Sequence, residues 1–162
     1  MLARDSNWNN LKKLSLSDNM LGPEGGEALE ENTTWKELET LILDSNRLGQ
    51  QEALFIAINS TWNNLKRLSL IDNELTDEGG VAIGISTAWK RLEELSLQRN
   101  RMKEKSALAI ANNSIWTHLK IFNLSSNPIG DEGGVAIGSN ISWEKLEELY
   151  LEDNLGTKVL LL

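Results

Sequence analysis

The chain has 162 residues, 40% of them apolar and 25% charged, a balance that specifies a folded domain with a continuous core rather than a disordered segment. A formal charge of −8 opposes counterion-releasing contacts with nucleic acid, and the absence of cysteine removes disulfides, thiolate catalysis and cysteine-held zinc. No apolar run approaches the roughly 18 residues of a membrane span, and residues 1–8, MLARDSNW, lack the apolar stretch of a signal peptide. A cytoplasmic chain is the expectation, with secretion as an effector as the alternative.

The chain opens in the middle of a unit. Leu2 stands in register with Ile56, Ile83, Ile110 and Ile137, and Ala3 with Ala57, Gly84, Ala111 and Gly138. A single domain over residues 1–162, cut from a longer repeat array, is the organisation this implies. From there Trp8, Trp35, Trp62, Trp89, Trp116 and Trp143 recur every 27 residues without a slip. A fixed period of this length marks stacked units, each of which buries its apolar face only against its neighbours.

Each tryptophan leads into a short strand. The first unit reads Leu11, Leu14, Leu16, Asn19, Leu21; the third reads Leu65, Leu68, Leu70, Asn73, Leu75; the fifth reads Leu119, Phe122, Leu124, Asn127, Ile129. The period of two around Leu68 and Leu70 turns those side chains inward and Arg67, Ser69 and Ile71 outward. An asparagine immediately after each strand is placed to satisfy buried turn groups, so six of them predict an asparagine ladder. Between each turn and the next tryptophan, small and apolar residues such as Gly80, Ile83 and Gly84, or Ala53, Ile56 and Ala57, fall on one helical face. Asp77 and Asp131 are expected to cap these helices, and Pro23 suits a first helical turn.

The spacing L-x-x-L-x-L-x-x-N-x-L resembles the leucine-rich repeat family, and the resemblance spans all six units. It implies an α/β solenoid of the helix-bearing, ribonuclease-inhibitor-like kind. Parallel strands would line a concave face and helices a convex one. The helical segments are also similar to repeats of bacterial effector proteins. The family's usual contact surface is the concave face, and the implied function is a non-enzymatic protein–protein interaction module. Two alternatives stand beside it: the substrate-recognition part of a larger enzyme of ubiquitin-ligase type, and a structural module that self-associates through uncapped ends.

A second periodicity lies over the first. Glu-Gly-Gly begins the helical segment at Glu24, Glu78 and Glu132, whereas the intervening units carry Glu52-Ala53 and Ser106-Ala107. The residue before each strand alternates Lys12, Glu39, Lys66, Glu93, Lys120, Glu147, which sets opposite charges on neighbouring strands. The last unit then departs from the pattern: residues 157–162, TKVLLL, carry no helical spacing.

Few residues offer chemistry. His118 is the only histidine and sits in a column with Asn10, Glu37, Asn64, Arg91 and Lys145, a solvated position with no partner for a metal site or a nucleophile–base pair. Asp-Glu-Gly-Gly lacks the Gly-Lys-Ser/Thr end of a phosphate loop, and no calcium loop is present. The sequons at Asn32, Asn59, Asn112, Asn123 and Asn140 mostly mark one repeated loop. No catalytic, cofactor or metal residues are assigned, and no cofactor is expected.

What varies is the outward strand surface. Ile42, Asp44, Arg67, Ile71, Glu94, Ile121, Asn123, Glu148, Tyr150, Glu152 and Asp153 form the expected partner-binding set, with Ile42, Ile71, Ile121 and Tyr150 as apolar anchors. Strand and turn positions together carry Asp18, Asp44, Asp72, Glu94, Glu148, Glu152 and Asp153 against Lys13, Arg67 and Arg99. That balance points to a basic protein partner rather than nucleic acid or a membrane.

Overall fold

The computed structural model describes residues 8–154, so the expectations for Leu2, Ala3 and residues 157–162 lie outside it. Strands β1 (Lys13–Ser15), β2 (Thr40–Ile42), β3 (Arg67–Ser69), β4 (Glu94–Ser96), β5 (Ile121–Asn123) and β6 (Glu148–Tyr150) alternate with helices α1 (Gly22–Glu30), α2 (Gly49–Ile58), α3 (Thr76–Gly84), α4 (Glu104–Ala111) and α5 (Gly130–Gly138). The six strands make one parallel sheet in chain order. Each residue pairs with the one 27 positions on, as in Leu41 with Leu68 and Leu68 with Leu95. Strands step by about 4.8 Å, whereas packed helices need about 8–10 Å, so the helical side is the longer arc and the strand face is concave.

The core runs the length of the stack. Trp35, Trp62, Trp89 and Trp116 are at most 1% exposed, whereas Trp8, in the first described unit, is 43% exposed. Leu41, Leu68, Leu95 and Phe122 form a fully buried column beneath the sheet. Trp143 meets Phe122 edge-on at 5.4 Å between ring centroids.

The doublet periodicity has a packing cause. A Cβ on Gly26 would lie 2.1 Å from Glu52 Cγ, and one on Gly80 would lie 2.4 Å from Ser106 Cβ. The glycine-bearing α1 and α3 therefore make room for the larger residue of the next helix, and the two helix types alternate there because they fit one another. Glu52 and Ser106 are themselves buried in that contact.

The helix starts depart from expectation. Asp77 does not cap its own helix; its Oδ1 accepts from the backbone N–H of Lys103 (3.0 Å) and of Ser106 (2.9 Å), at the start of α4 in the next unit. The residues just before α3 and α5 are Leu75 and Ile129, and neither gives a side-chain cap. Parallel stacking brings the carboxylate of one unit closer to its neighbour's free N–H groups than to its own. Asp131 Oδ1, by contrast, is buried without a partner. Pro23 does occupy the first turn of α1.

Before α4, Lys103 is extended, at φ −124°, whereas the turns before the other four described helices share one conformation. Gly22, Gly49 and Gly130 take positive φ there, and in the third unit Thr76 takes the same conformation at +64°. A β-branched residue is strained in that region, and its hydroxyl gains only exposed contacts with Gln50 and Glu78. Thr76→Gly is expected to raise stability by about 0.5 kcal/mol, the strain relief exceeding glycine's extra unfolded-state entropy. A denaturant midpoint that falls would refute the strain argument.

Two side-chain ladders tie unit to unit. In the first, the backbone N–H groups of Asn19, Asn46, Asn73, Asn100 and Asn127 each donate to Oδ1 of the asparagine 27 residues on, at 2.6–3.0 Å. The same side chains reach back through Nδ2, as Asn73 does to Leu43 O at 2.9 Å and Asn100 to Leu70 O at 2.7 Å. The expected ladder is present, and it joins neighbouring units as well as closing its own turns. The second ladder runs along the loops after the helices. Asn59, Ser86, Asn113 and Asn140 donate to Leu29, Ala57, Gly84 and Ala111 carbonyls of the preceding unit, at 2.6–3.1 Å. Their oxygens turn the chain into the next tryptophan, as Asn140 does for Trp143 N–H at 3.0 Å. Asn32 and Asn59 of the sequons are thus buried structural amides.

Candidate functional site

The strand face carries three parallel rows, set by the in-register pairing. One row holds Thr40, Arg67, Glu94, Ile121 and Glu148; the next holds Ile42, Ser69, Ser96, Asn123 and Tyr150. The third lies just past the strands, where Asp44, Ile71, Gln98, Ser125 and Glu152 repeat at the same 27-residue interval. Ten of the eleven residues expected to bind a partner therefore share one face. Asp153 lies at its edge, in the turn beyond β6.

Their exposure is uneven. Ile42, Ile71 and Ile121 are half-buried rather than exposed, because strands so close together cover the flanks of each other's side chains. Ser69, expected to point into solvent, is 3% exposed: Asp44 lies over it, its Oδ1 accepting from Ser69 Oγ (2.6 Å) and from Ile71 N–H (3.0 Å). Tyr150 is the apolar anchor that does stand clear, at 36% exposure.

Charge is also sorted along the face. In the middle, Arg67 Nη1 lies 3.2 Å from Glu94 Oε2, and Asp44 is engaged as above. At β6 the carboxylates have no cation: among the described residues, no lysine or arginine pairs with Glu148, Glu152 or Asp153. Tyr150 Oη donates to Glu148 (2.5 Å), and that hydrogen bond, with the charge behind it, holds the phenol above its usual pKa. Ser125 Oγ donates to Glu152 and lowers its carboxyl pKa. Tyr150 is thus set by its own strand among three unopposed negative charges.

The flank of the face carries the alternating row before the strands. Glu39 meets Lys66 at 2.8 Å and Lys12 at 3.7 Å, and Glu93 meets Lys120 at 2.7 Å, as the sequence alternation requires. The hydrogen bond from Lys66, then its charge, lowers the Glu39 pKa; Lys120 does the same for Glu93. A depressed folded-state pKa gives stability that is present above the ordinary carboxylate value of about 4.3 and lost as pH falls through the folded value. Replacing Lys66 and Lys120 by methionine should therefore lower the melting temperature slightly at neutral pH. The gap from the parent chain should close below about pH 4 and in high salt. A gap that ignores both would show that the lysine stems, not the charges, matter.

Sequence reasoning did not identify the second ladder or the Asp77 cap across units. The first was readable: Asn32, Asn59, Ser86, Asn113 and Asn140 keep the 27-residue interval as strictly as the tryptophans. His118 is exposed and lies beside the Thr117 hydroxyl, its ring Nδ1 3.2 Å from Thr117 Oγ1. Among the described residues no cluster of three or more His, Cys, Asp or Glu side chains is placed to hold a metal ion, and no helix is long and apolar enough to cross a membrane.

Comparison with known proteins points to one architecture. The family profile described as Leucine Rich repeat matches residues 9–29, 63–84 and 117–138, which are the first, third and fifth units, those with Glu-Gly-Gly. No curated protein matches the chain. Among solved structures, that of leiomodin-1 actin-binding site 2 superimposes with a TM-score of 0.50 at 17% identity, covering 94% of this chain and 75% of that one. Profile, periodicity and topology agree on a leucine-rich repeat architecture in its helix-bearing form: the profile matches three of the six units, and the fold is shared with that solved structure.

Proposed function

We propose that this chain is a protein-interaction module, without catalytic activity of its own, that receives a basic partner on the carboxyl-terminal end of its concave sheet. The observation that carries the reading is Tyr150 standing exposed among Glu148, Glu152 and Asp153, carboxylates without a cation on a backbone already fixed by the sheet. A rigid surface costs little ordering on binding, so a few anchors suffice. Unopposed charge steers an oppositely charged partner and sets its association rate. One solved structure that shares this fold, at 17% identity, is an actin-binding site of leiomodin-1, which supports a protein as the class of ligand.

Glu148→Lys with Glu152→Lys is expected to slow association by about tenfold at low salt, with the difference shrinking as salt rises. Tyr150→Ala should instead raise the dissociation rate. Glu27→Lys with Glu30→Lys, on α1, is the control and should leave both rates unchanged. The measurement is surface-immobilised kinetics against the partner captured from lysate by the intact chain. If the α1 pair abolishes binding while the β6 pair does not, the binding face is the helical one and the proposal fails.

A further inference from the structure

The helical side carries a feature that stacking does not require. Glu31, Ile58, Ile85, Asn112 and Ser139 occupy one position in successive units, at the carboxyl-terminal ends of the helices. Three of the five are polar, as suits a solvated position, but the two adjacent central units place isoleucines there, 57% and 64% exposed. Leu54, 37% exposed, lies one helical turn before Ile58. Together with Ala57 and Ala82 they line a groove of about 630 Å³ between α2 and α3. Exposed branched aliphatics grouped in a concavity mark a contact surface rather than random surface composition.

The rim gives the sign of what would fit. Lys90 and Arg91 border the groove, and no carboxylate lines it, in a chain whose formal charge is −8. Arg91 Nη1 donates to Asn64 Oδ1 at 2.9 Å, which steadies the guanidinium without neutralising it. Among the described residues neither cation has an acidic partner within ion-pair distance. An apolar floor with two unopposed cations at one end matches a peptide that places an aliphatic or aromatic side chain a short distance from a carboxylate. Its charge preference is opposite to that of the β6 end of the sheet.

We infer that the α2–α3 groove is a second, independent docking site for a partner segment that combines an apolar anchor with an acidic residue. The anchor would lie between Ile58 and Ile85, and the acidic group would pair with Lys90 and Arg91. Both isoleucines and both cations are at the surface, so substituting them leaves the core intact.

The test is selection of a displayed library of 16-residue peptides on the intact chain, followed by affinity measurement on the Ile58→Ser/Ile85→Ser and Lys90→Glu/Arg91→Glu variants. Peptides lost on the isoleucine variant are expected to carry an aliphatic or aromatic residue near Asp or Glu. They should bind the charge-reversed variant at least tenfold more weakly and bind Glu148→Lys/Glu152→Lys unchanged. Circular dichroism melts confirm that each variant folds. Selection that yields no peptide dependent on Ile58 and Ile85, or yields dependent peptides that are basic, overturns the inference.

Discussion

Trp62→Ala is expected to remove about 3–5 kcal/mol of stability, the largest loss from any single side chain at the centre of the stack. Trp62 is fully buried in the third unit, and its volume is shared among the leucines of its own unit and those beside it. Its indole N–H has no acceptor, as is also true of Trp89 and Trp116, so the residue is kept for its bulk. Trp62→Phe should accordingly cost much less than the alanine change, since it loses volume but strands no polar group. Trp8→Ala supplies the contrast: at 43% exposure its loss should stay near 1 kcal/mol. The position of Trp62 adds a second effect. Each unit of a solenoid is stabilised mainly by its two neighbours, so weakening a central unit uncouples the units on either side. The melt of Trp62→Ala should broaden or divide into two steps, whereas that of Trp8→Ala should remain a single transition. A Trp62→Ala loss below about 1 kcal/mol in a denaturant melt would overturn the packing account.

How legible these features were in the sequence follows from what repeats and what does not. The strand leucines, the tryptophans and the asparagines recur at one interval, and periodicity translates directly into register, because identical units stack with identical offsets. Leu41 against Leu68, or Asn73 against Asn100, could therefore be placed before any coordinates. The alternating Lys–Glu row was legible for the same reason. Contacts between units were harder to assign where a side chain had two choices. Asp77 looked like the cap of its own helix, yet in a stack the free N–H groups of α4 are the ones within its reach. Exposure on the sheet was misjudged in the same way. Alternation tells which face a side chain is on; it does not tell that Asp44 will lie over Ser69, or that neighbouring strands will half-cover Ile42, Ile71 and Ile121. The β6 end of the face differs because Glu148, Tyr150 and Glu152 depart from the unit average, and a departure gains meaning only once its neighbours are located. The isoleucines at 58 and 85 became visible as a pair by the same route.

Asn73→Ala should cost about 2–3 kcal/mol, although it removes only a small polar side chain. The side chain is fully buried and links the backbone of its own unit to that of the preceding one. Its Oδ1 accepts from Asn46 N–H at 3.0 Å, and its Nδ2 donates to Leu43 O at 2.9 Å and Ile71 O at 3.1 Å. The two carbonyls keep other donors, since Asn46 Nδ2 also reaches Leu43 O and Ser45 N–H reaches Ile71 O. The Asn46 N–H loses its acceptor outright, and an orphaned buried donor accounts for most of the cost. Asn73→Asp separates accepting from donating. A carboxylate there could still accept from Asn46 N–H, but it would face the carbonyl oxygens of Leu43 and Ile71 with no proton to offer. Such a site favours the neutral acid, so the folded-state pKa of the new carboxyl would rise above its unfolded value of about 3.9. A raised folded pKa means that stability falls as pH rises through that interval. Measured against the parent chain at each pH, Asn73→Asp should be mildest below about pH 4 and progressively worse towards neutrality, while the deficit of Asn73→Ala stays flat. Partner binding at β6 should survive in whatever fraction remains folded, since Asn73 lies beneath the surface. If both variants melt like the parent, the asparagine ladder is not what holds the turns. If the aspartate variant is least stable in acid, the donors and acceptors around Asn73 have been assigned the wrong way round.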